Sequence, residues 1–269
     1  MQKVRISDIP LVPSSHPDLF GVSVREVINR NTVETYRGML SIAEFVPGGF
    51  HKLHRHPASA QISYLLSGQG EHLTENGPVA IRAGDATHVP RNTWHGFRNT
   101  GADTAVLLSI YSPAATLAEA GYETLQGEID ASKPAHVALS SLSKLQGDAA
   151  LDEGKGFVGL GVFWLATHDT VGSNDFLLGA STFEPDGIHE HHRHPKGDEF
   201  LYILEGGGEH LLADDNAVSL SAGEIAYIPA NEYHGFRNPP GVLTRTLFGY
   251  FGPATLAEAG YEVREGART

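Results

Sequence analysis

Apolar positions along most of the chain recur with a period of two. Ile62-Ser63-Tyr64-Leu65-Leu66 and Phe200-Leu201-Tyr202-Ile203-Leu204 are short aliphatic and aromatic runs. Each stops at a glycine turn, Gly68-Gln69-Gly70 or Gly206-Gly207-Gly208. Similar runs occupy 79–81, 105–110 and 226–228. Alternating runs of this length, bounded by turn residues, predict strands with one face toward a core. With 31 Gly and 15 Pro as punctuation, the pattern predicts an all-β barrel or sandwich. Two segments depart from it. Thr116-x-x-Glu119 and Thr255-x-x-Glu258 fit a helix-capping box, and Gly121 and Gly260 fit the stop that follows, with the next tyrosine as its hydrophobic contact. Each predicts a helix of one or two turns outside its barrel.

The pattern is written twice. Residues 54–73 and 192–211 match at eleven of twenty positions without a gap, at an offset of 138. His95-Gly96-Phe97-Arg98-Asn99 then returns as His234-Gly235-Phe236-Arg237-Asn238, and Thr116 through Glu123 returns as Thr255 through Glu262. Three blocks in the same order indicate a tandem duplication. The predicted organisation is one barrel over 1–125, a connector over 126–150 without a repeat partner, and a second barrel over 151–269.

Composition narrows the chemistry. The 269 residues carry 19 Lys and Arg against 32 Asp and Glu, a net charge of −13, which disfavours nucleic acid and anionic membrane as partners. No apolar stretch reaches the length of a membrane span, and the first residues lack the apolar core of a signal peptide, so a cytoplasmic location is expected. Cysteine is absent, so any metal must be held by nitrogen and oxygen; histidine numbers 15. His192-x-His194 on a strand puts two imidazoles on one face. Glu199 opens the next strand, and His234 arrives from a third. Three imidazoles and a carboxylate suit a first-row metal.

These residues resemble the cupin superfamily, and its two-domain bicupins in particular. The family's first motif, G-x5-H-x-H-x3,4-E-x6-G, is matched by Gly48-x5-His54-x-His56-x4-Gln61-x6-Gly68. It returns as His192-x-His194-x4-Glu199-x6-Gly206, with Gly187 one residue closer than usual. The second, G-x5-P-x-G-x2-H-x3-N, is matched by Gly84-x5-Pro90-x-Asn92-x2-His95-x3-Asn99 and by Gly223-x5-Pro229-x-Asn231-x2-His234-x3-Asn238. Asn replaces the second Gly of that motif in both halves, and Asn also tolerates positive φ. The resemblance implies two double-stranded β-helix (jelly-roll) barrels, each with a short C-terminal helix and a metal near its centre. Carried over, the ligands are His192, His194, Glu199 and His234, and in the first half His54, His56 and His95 with Gln61 in place of the carboxylate. Gln ligands occur in some cupins, a bicupin isomerase among them. A divalent ion would keep a formal +2 at the Gln61 site and +1 at the Glu199 site, so the second site is expected to hold metal more firmly.

Strand parity sends Leu201 and Ile203 inward with Glu199, and Ser63 and Leu65 inward with Gln61. From His234 it sends Phe236 and Asn238 inward and Arg237 outward, so Arg98 and Arg237 read as structural. The second cavity should be mostly apolar, suited to a modest, partly apolar small molecule. His72 and His210, matched positions after the glycine turns, are candidate acid–base groups; Glu199 and His210 are the catalytic candidates of the second site. His51, His189 and His191 fall off the metal face by parity.

Three functions compete. The resemblance favours a dioxygenase-type oxidoreductase using Fe(II), with Mn, Ni, Co, Cu or Zn as alternatives. Gln61, and the lack of a cationic clamp for a carboxylate, favour a metal-dependent isomerase or lyase that polarises a carbonyl. A non-catalytic binding protein is the third. By analogy a homodimer is expected.

Overall fold

The computed structural model describes residues 1–125, 137–149, 151, 156–214 and 216–264. Both copies of the repeat fold as curled antiparallel sheets, in two units: residues 9–143, and residues 1–8 with 144–269. The first eight residues thus sit with the second copy rather than in a 1–125 barrel. Their strand Gln2–Arg5 pairs with Glu224–Ile228, and Lys3 and Arg5 each reach the buried Glu224 at 2.8 Å. In the first unit the equivalent edge, Asp85–Val89, is covered by Ala138–Ser141, a strand from within the expected connector. Each unit thereby pairs an edge that would otherwise expose a row of unsatisfied backbone groups. Residues 126–136 and 150 of that connector lie outside the described residues.

Strand order is the same in both units. In the first it runs Ala138–Ser141, Asp85–Val89, Ala60–Ser67, Ala105–Ser112, Met39–Arg55, His95–Asn99, Gln69–Thr74, Gly77–Arg82. In the second it runs Gln2–Arg5, Glu224–Ile228, Asp198–Glu205, Thr244–Phe251, Phe176–Arg193, His234–Arg237, Gly207–Leu212, Ala217–Ser221. The long strands Met39–Arg55 and Phe176–Arg193 change partners midway. Met39–Phe45 pairs with Ala105–Tyr111, whereas Phe50–His54 pairs with His95–Arg98. That change of partner curls the sheet and brings the histidine end of the long strand over the barrel interior. A further strand, Leu19–Ile28 or Phe157–Ala166, pairs along the outer edge of each.

The predicted helices are single turns, Leu117–Ala120 and Leu256–Ala259. Thr116 and Thr255 cap them as expected, by accepting from the backbone N–H of Glu119 and Glu258. The glutamates reach one residue further back than a capping box requires, to the N–H of Ala115 and Ala254. The tyrosines that follow lie parallel to His54 and His192. At the turn before each third histidine, Asn92 and Asn231 take φ of +62° and +70°, which explains how Asn serves where the family motif has Gly. Both donate their backbone N–H to the HxH strand, at His56 O and His194 O.

Candidate metal centres

The structure brings all eight sequence-predicted ligands together in two groups. His192, His194, Glu199 and His234 are buried with their ligand atoms within 4.8 Å of one another, and so are His54, His56 and His95. Every imidazole is oriented through Nδ1, which donates to a backbone carbonyl. In the first unit the acceptors are Lys52, Gly121 and Thr93, at 2.8, 2.6 and 2.9 Å. In the second they are Glu190, Gly260 and Glu232, at 2.8, 2.6 and 3.0 Å. A proton on Nδ1 leaves the Nε2 lone pair free, and the Nε2 atoms of His56 and His192 are buried without hydrogen-bond partners. Convergent, enclosed lone pairs of this kind fit a cation.

Gln61 completes the first group. Its amide N–H groups donate to Ser63 Oγ at 2.8 Å and Ser109 Oγ at 3.3 Å. That leaves its carbonyl oxygen 2.8 Å from His95 Nε2. Two acceptors therefore face each other, an arrangement that a shared cation relieves. In the second group the Glu199 carboxylate lies 2.9 Å from His234 Nε2 and 3.4 Å from His194 Nε2. Burial, reinforced by neighbouring imidazoles, holds His54, His95 and His192 well below the ordinary histidine range, and burial lowers His56 and His194 as well. These rings are neutral ligands at pH 7. Burial also opposes charge on Glu199 and His234, but each is overcome by the other: Glu199 is held below its usual value and His234 above. The first donor set is thus neutral, whereas the second, with His234 deprotonated to bind a cation, would carry the one negative charge of Glu199.

Parity failed at one place, for a physical reason. A register shift lies between His51 and His54, and another between His189 and His192. A bulge there reverses the alternation, so His51 and His189 face the centres instead of turning away. His51 stacks on His54 at 3.7 Å between ring centroids, and Tyr122 lies parallel to His54 at 5.0 Å. His189 and Tyr261 treat His192 in the same way, at 4.1 and 4.6 Å. The repeat alone pairs His51 with His189 and Tyr122 with Tyr261, which was the available signal. Elsewhere parity held. Gln61 and Ser63 line one cavity, and Glu199, Leu201 and Phe236 the other. Arg98 and Arg237 point outward to Glu71 and Glu209. The Asn99 and Asn238 amides tie loops together through backbone carbonyls. His191 bonds to Leu212 O and stays off the centre.

The two centres differ in the space beside them. The Glu199 centre opens on about 40 Å³, while the Gln61 centre opens on about 1100 Å³. The second cavity is apolar, as expected, but too small for an organic substrate. Its space is occupied by Leu201 and Phe248, whose counterparts in the first unit are Ser63 and Ser109. Phe248 lies across Gly179, where a Cβ would sit 2.3 Å from the ring; the counterpart of Gly179 is Ser41. Trp164 closes on Phe248 edge-on at 5.6 Å. His210 lies in this closed pocket, parallel to His234 at 5.8 Å, with both ring nitrogens unpartnered. Its counterpart His72 lines the open cavity.

Burial lowers His72 to about 4 and His210 to about 3. Both are neutral when folded, whereas the unfolded chain protonates them below about 6.5. Their contribution is therefore complete above that pH and is lost as pH falls toward 4 and 3. The metal-free protein should lose roughly 2 kcal/mol per histidine between pH 7.5 and 5. Urea unfolding at both pH values checks this, and a His210→Phe variant should show a shallower fall.

The sequence comparisons agree with this geometry. The profile of the cupin domain matches residues 41–111 and 179–245, together just over half of the chain. The chain is a cupin. Protein SchB of Streptomyces halstedii is 30% identical over 117 residues, 44% of this cupin and 84% of SchB. A Streptomyces cyaneus protein named polyketide synthase CurC is 33% identical over 84 residues, 31% of this chain and 54% of that one. Among solved structures, the formate complex of Lactobacillus farciminis oxalate decarboxylase superposes with a TM-score of 0.72 at 17% identity. That match covers 93% of this cupin and 86% of the decarboxylase, so the likeness in fold spans both repeats. No helix among the described residues is long and apolar enough to cross a membrane.

Proposed function

We propose that this cupin is a metal-dependent enzyme whose chemistry runs at His54, His56, Gln61 and His95, and that it is an isomerase or lyase acting on an enolisable carbonyl compound. The observation that carries this reading is the placement of the large cavity at the neutral centre. With four uncharged donors, a divalent ion such as Fe(II) or Mn(II) keeps its full charge there, and so supplies a Lewis acid for a substrate oxygen. The protein's own residues do the rest. Gln61 is held by Ser63 and Ser109 with its oxygen toward the ligands and brings no negative charge that would oppose an enolate. Phe45, Phe97, Tyr111 and Tyr122 wall the cavity and would exclude water from a bound apolar body. His72 lines the cavity as a neutral imidazole with its Nε2 buried and unpartnered. Neither Arg nor Lys lines it among the described residues, which argues against a small dianion such as oxalate as the substrate. The Glu199 centre is then a structural site, its pocket too small for organic chemistry.

A dioxygenase is the second reading, favoured by the room beside the His54 centre for both an organic molecule and O2. Proton–deuterium exchange α to the carbonyl of 1-tetralone, followed by NMR in D2O under strict anaerobiosis, separates the two. The Mn(II)-loaded cupin should accelerate exchange, and His95→Ala should abolish the acceleration. No anaerobic exchange, with O2 uptake on adding the ketone, would establish the dioxygenase instead.

A further inference from the structure

The large cavity contains a polar strip that its counterpart lacks. Ser41, Ser109 and Ser63 stand in register on three adjacent strands, Met39–Arg55, Ala105–Ser112 and Ala60–Ser67. All three are buried and all line the cavity. Ser63 and Ser109 lie 3.3 Å apart and share the Gln61 amide. The Ser41 hydroxyl, at the far end of the strip, has no hydrogen-bond partner among the described residues. His72, also buried, is anchored by Nδ1 at 3.2 Å from Thr87 Oγ1 and leaves Nε2 unpartnered. At the repeat positions of Ser41, Ser63, Thr87 and Ser109 the second unit has Gly179, Leu201, Ala226 and Phe248. One copy of the duplication therefore keeps hydroxyls where the other keeps hydrocarbon.

The Ser41 hydroxyl opens on the cavity without a protein partner, so a ligand that reaches the strip can supply one hydrogen bond there. What the wall lacks is equally informative. It has no Arg or Lys among the described residues, and Glu26 is its one carboxylate. A ligand carrying a fixed negative charge would find no counter-charge away from the metal.

We propose that Ser41 is a specificity-determining residue, and that the cavity takes an uncharged organic ligand with an apolar body and several oxygen atoms, one end facing the metal ligands and the other hydrogen-bonded to the strip. This rests on the reading of the Gln61 centre as the site of chemistry and names its substrate class. Two probes with the same ring system test it: 1,8-dihydroxyanthraquinone, uncharged at pH 6.5, and anthraquinone-2-sulfonate. Each is titrated by fluorescence against Zn(II)-loaded and metal-free protein. The dihydroxy compound should bind at least about tenfold more tightly, and Ser41→Ala should weaken it about fivefold to tenfold, the loss of one neutral hydrogen bond. Zinc content and sulfonate affinity should stay unchanged in Ser41→Ala. Equal affinity of wild type and Ser41→Ala for the dihydroxy compound, or sulfonate binding as tight as dihydroxy binding, would overturn the proposal. The metal-free arm reads the strip alone. Identical affinities with and without zinc would count against the catalytic reading of the centre while leaving the strip's selectivity measured.

Discussion

Ser41→Gly combined with Ser109→Phe is expected to block the part of the N-terminal cavity next to Gln61 and to weaken 1,8-dihydroxyanthraquinone by at least about tenfold. The pair installs what the second unit already has, a phenylalanine lying across a glycine. Ser109→Phe alone meets the Ser41 side chain where the second unit has only Gly179, a position at which a Cβ would be 2.3 Å from the ring. Gln61 keeps its shorter anchor on Ser63, at 2.8 Å, so the double variant should retain zinc in the first centre. The reciprocal pair, Gly179→Ser with Phe248→Ser, opens the closed pocket. Removing a buried phenylalanine ring costs about 3–5 kcal/mol where the surroundings cannot collapse. Trp164, Phe183 and Tyr250 hold this pocket's walls apart, so the upper part of that range is expected. Gly179→Ser alone should also destabilise, because its side chain runs into Phe248, and much of that effect should vanish in the double variant. Urea unfolding of the three variants checks both the size and the non-additivity. Additive effects would mean that Phe248 does not fill the pocket as described.

Removal of a single histidine from each centre gives the second large effect. Wild type should bind two equivalents of Zn(II), and His95→Ala and His234→Ala one each, by elemental analysis after gel filtration. Their metal-free forms should differ in stability. His234→Ala strands the buried Glu199 carboxylate, 7% exposed, without its nearest partner at 2.9 Å. Breaking such a pair costs about 3–5 kcal/mol. His95→Ala leaves only the neutral Gln61 amide behind, whose N–H groups remain bonded to Ser63 and Ser109, and should cost clearly less. Equal losses in the two variants would argue that Glu199 is not charged in the metal-free protein.

Much of this molecule is legible in its sequence. The duplication, the strand runs and the single-turn helices follow from spacing, and the eight candidate ligands follow from the resemblance to the cupin motifs. What was not legible has identifiable causes. The bulges before His54 and His192 reverse strand parity, so His51 and His189 were assigned to the wrong face. Tyr122 and Tyr261 read only as the hydrophobic contacts after the Gly121 and Gly260 stops, because their contacts with His54 and His192 are tertiary. The N-terminal strand was assigned to the nearer barrel, whereas its pairing with Glu224–Ile228 is a long-range contact that no local pattern encodes. The ranking of the two sites turned on ligand charge, which favoured Glu199. Room for a substrate is a separate property, and it depends on Ser63 and Ser109 against Leu201 and Phe248. Those four residues stand at matched positions of the repeat, so the comparison was open to sequence reading once the strands were known to share a cavity.

The central claim is that an organic ligand meets the metal in the N-terminal unit and not in the C-terminal one. The most direct test is electron paramagnetic resonance of Co(II) placed in one centre at a time. His234→Ala carries it only at the Gln61 centre and His95→Ala only at the Glu199 centre. Adding 1,8-dihydroxyanthraquinone should change the Co(II) spectrum of His234→Ala and leave that of His95→Ala as it was. A spectral change in His95→Ala, with none in His234→Ala, would contradict the account.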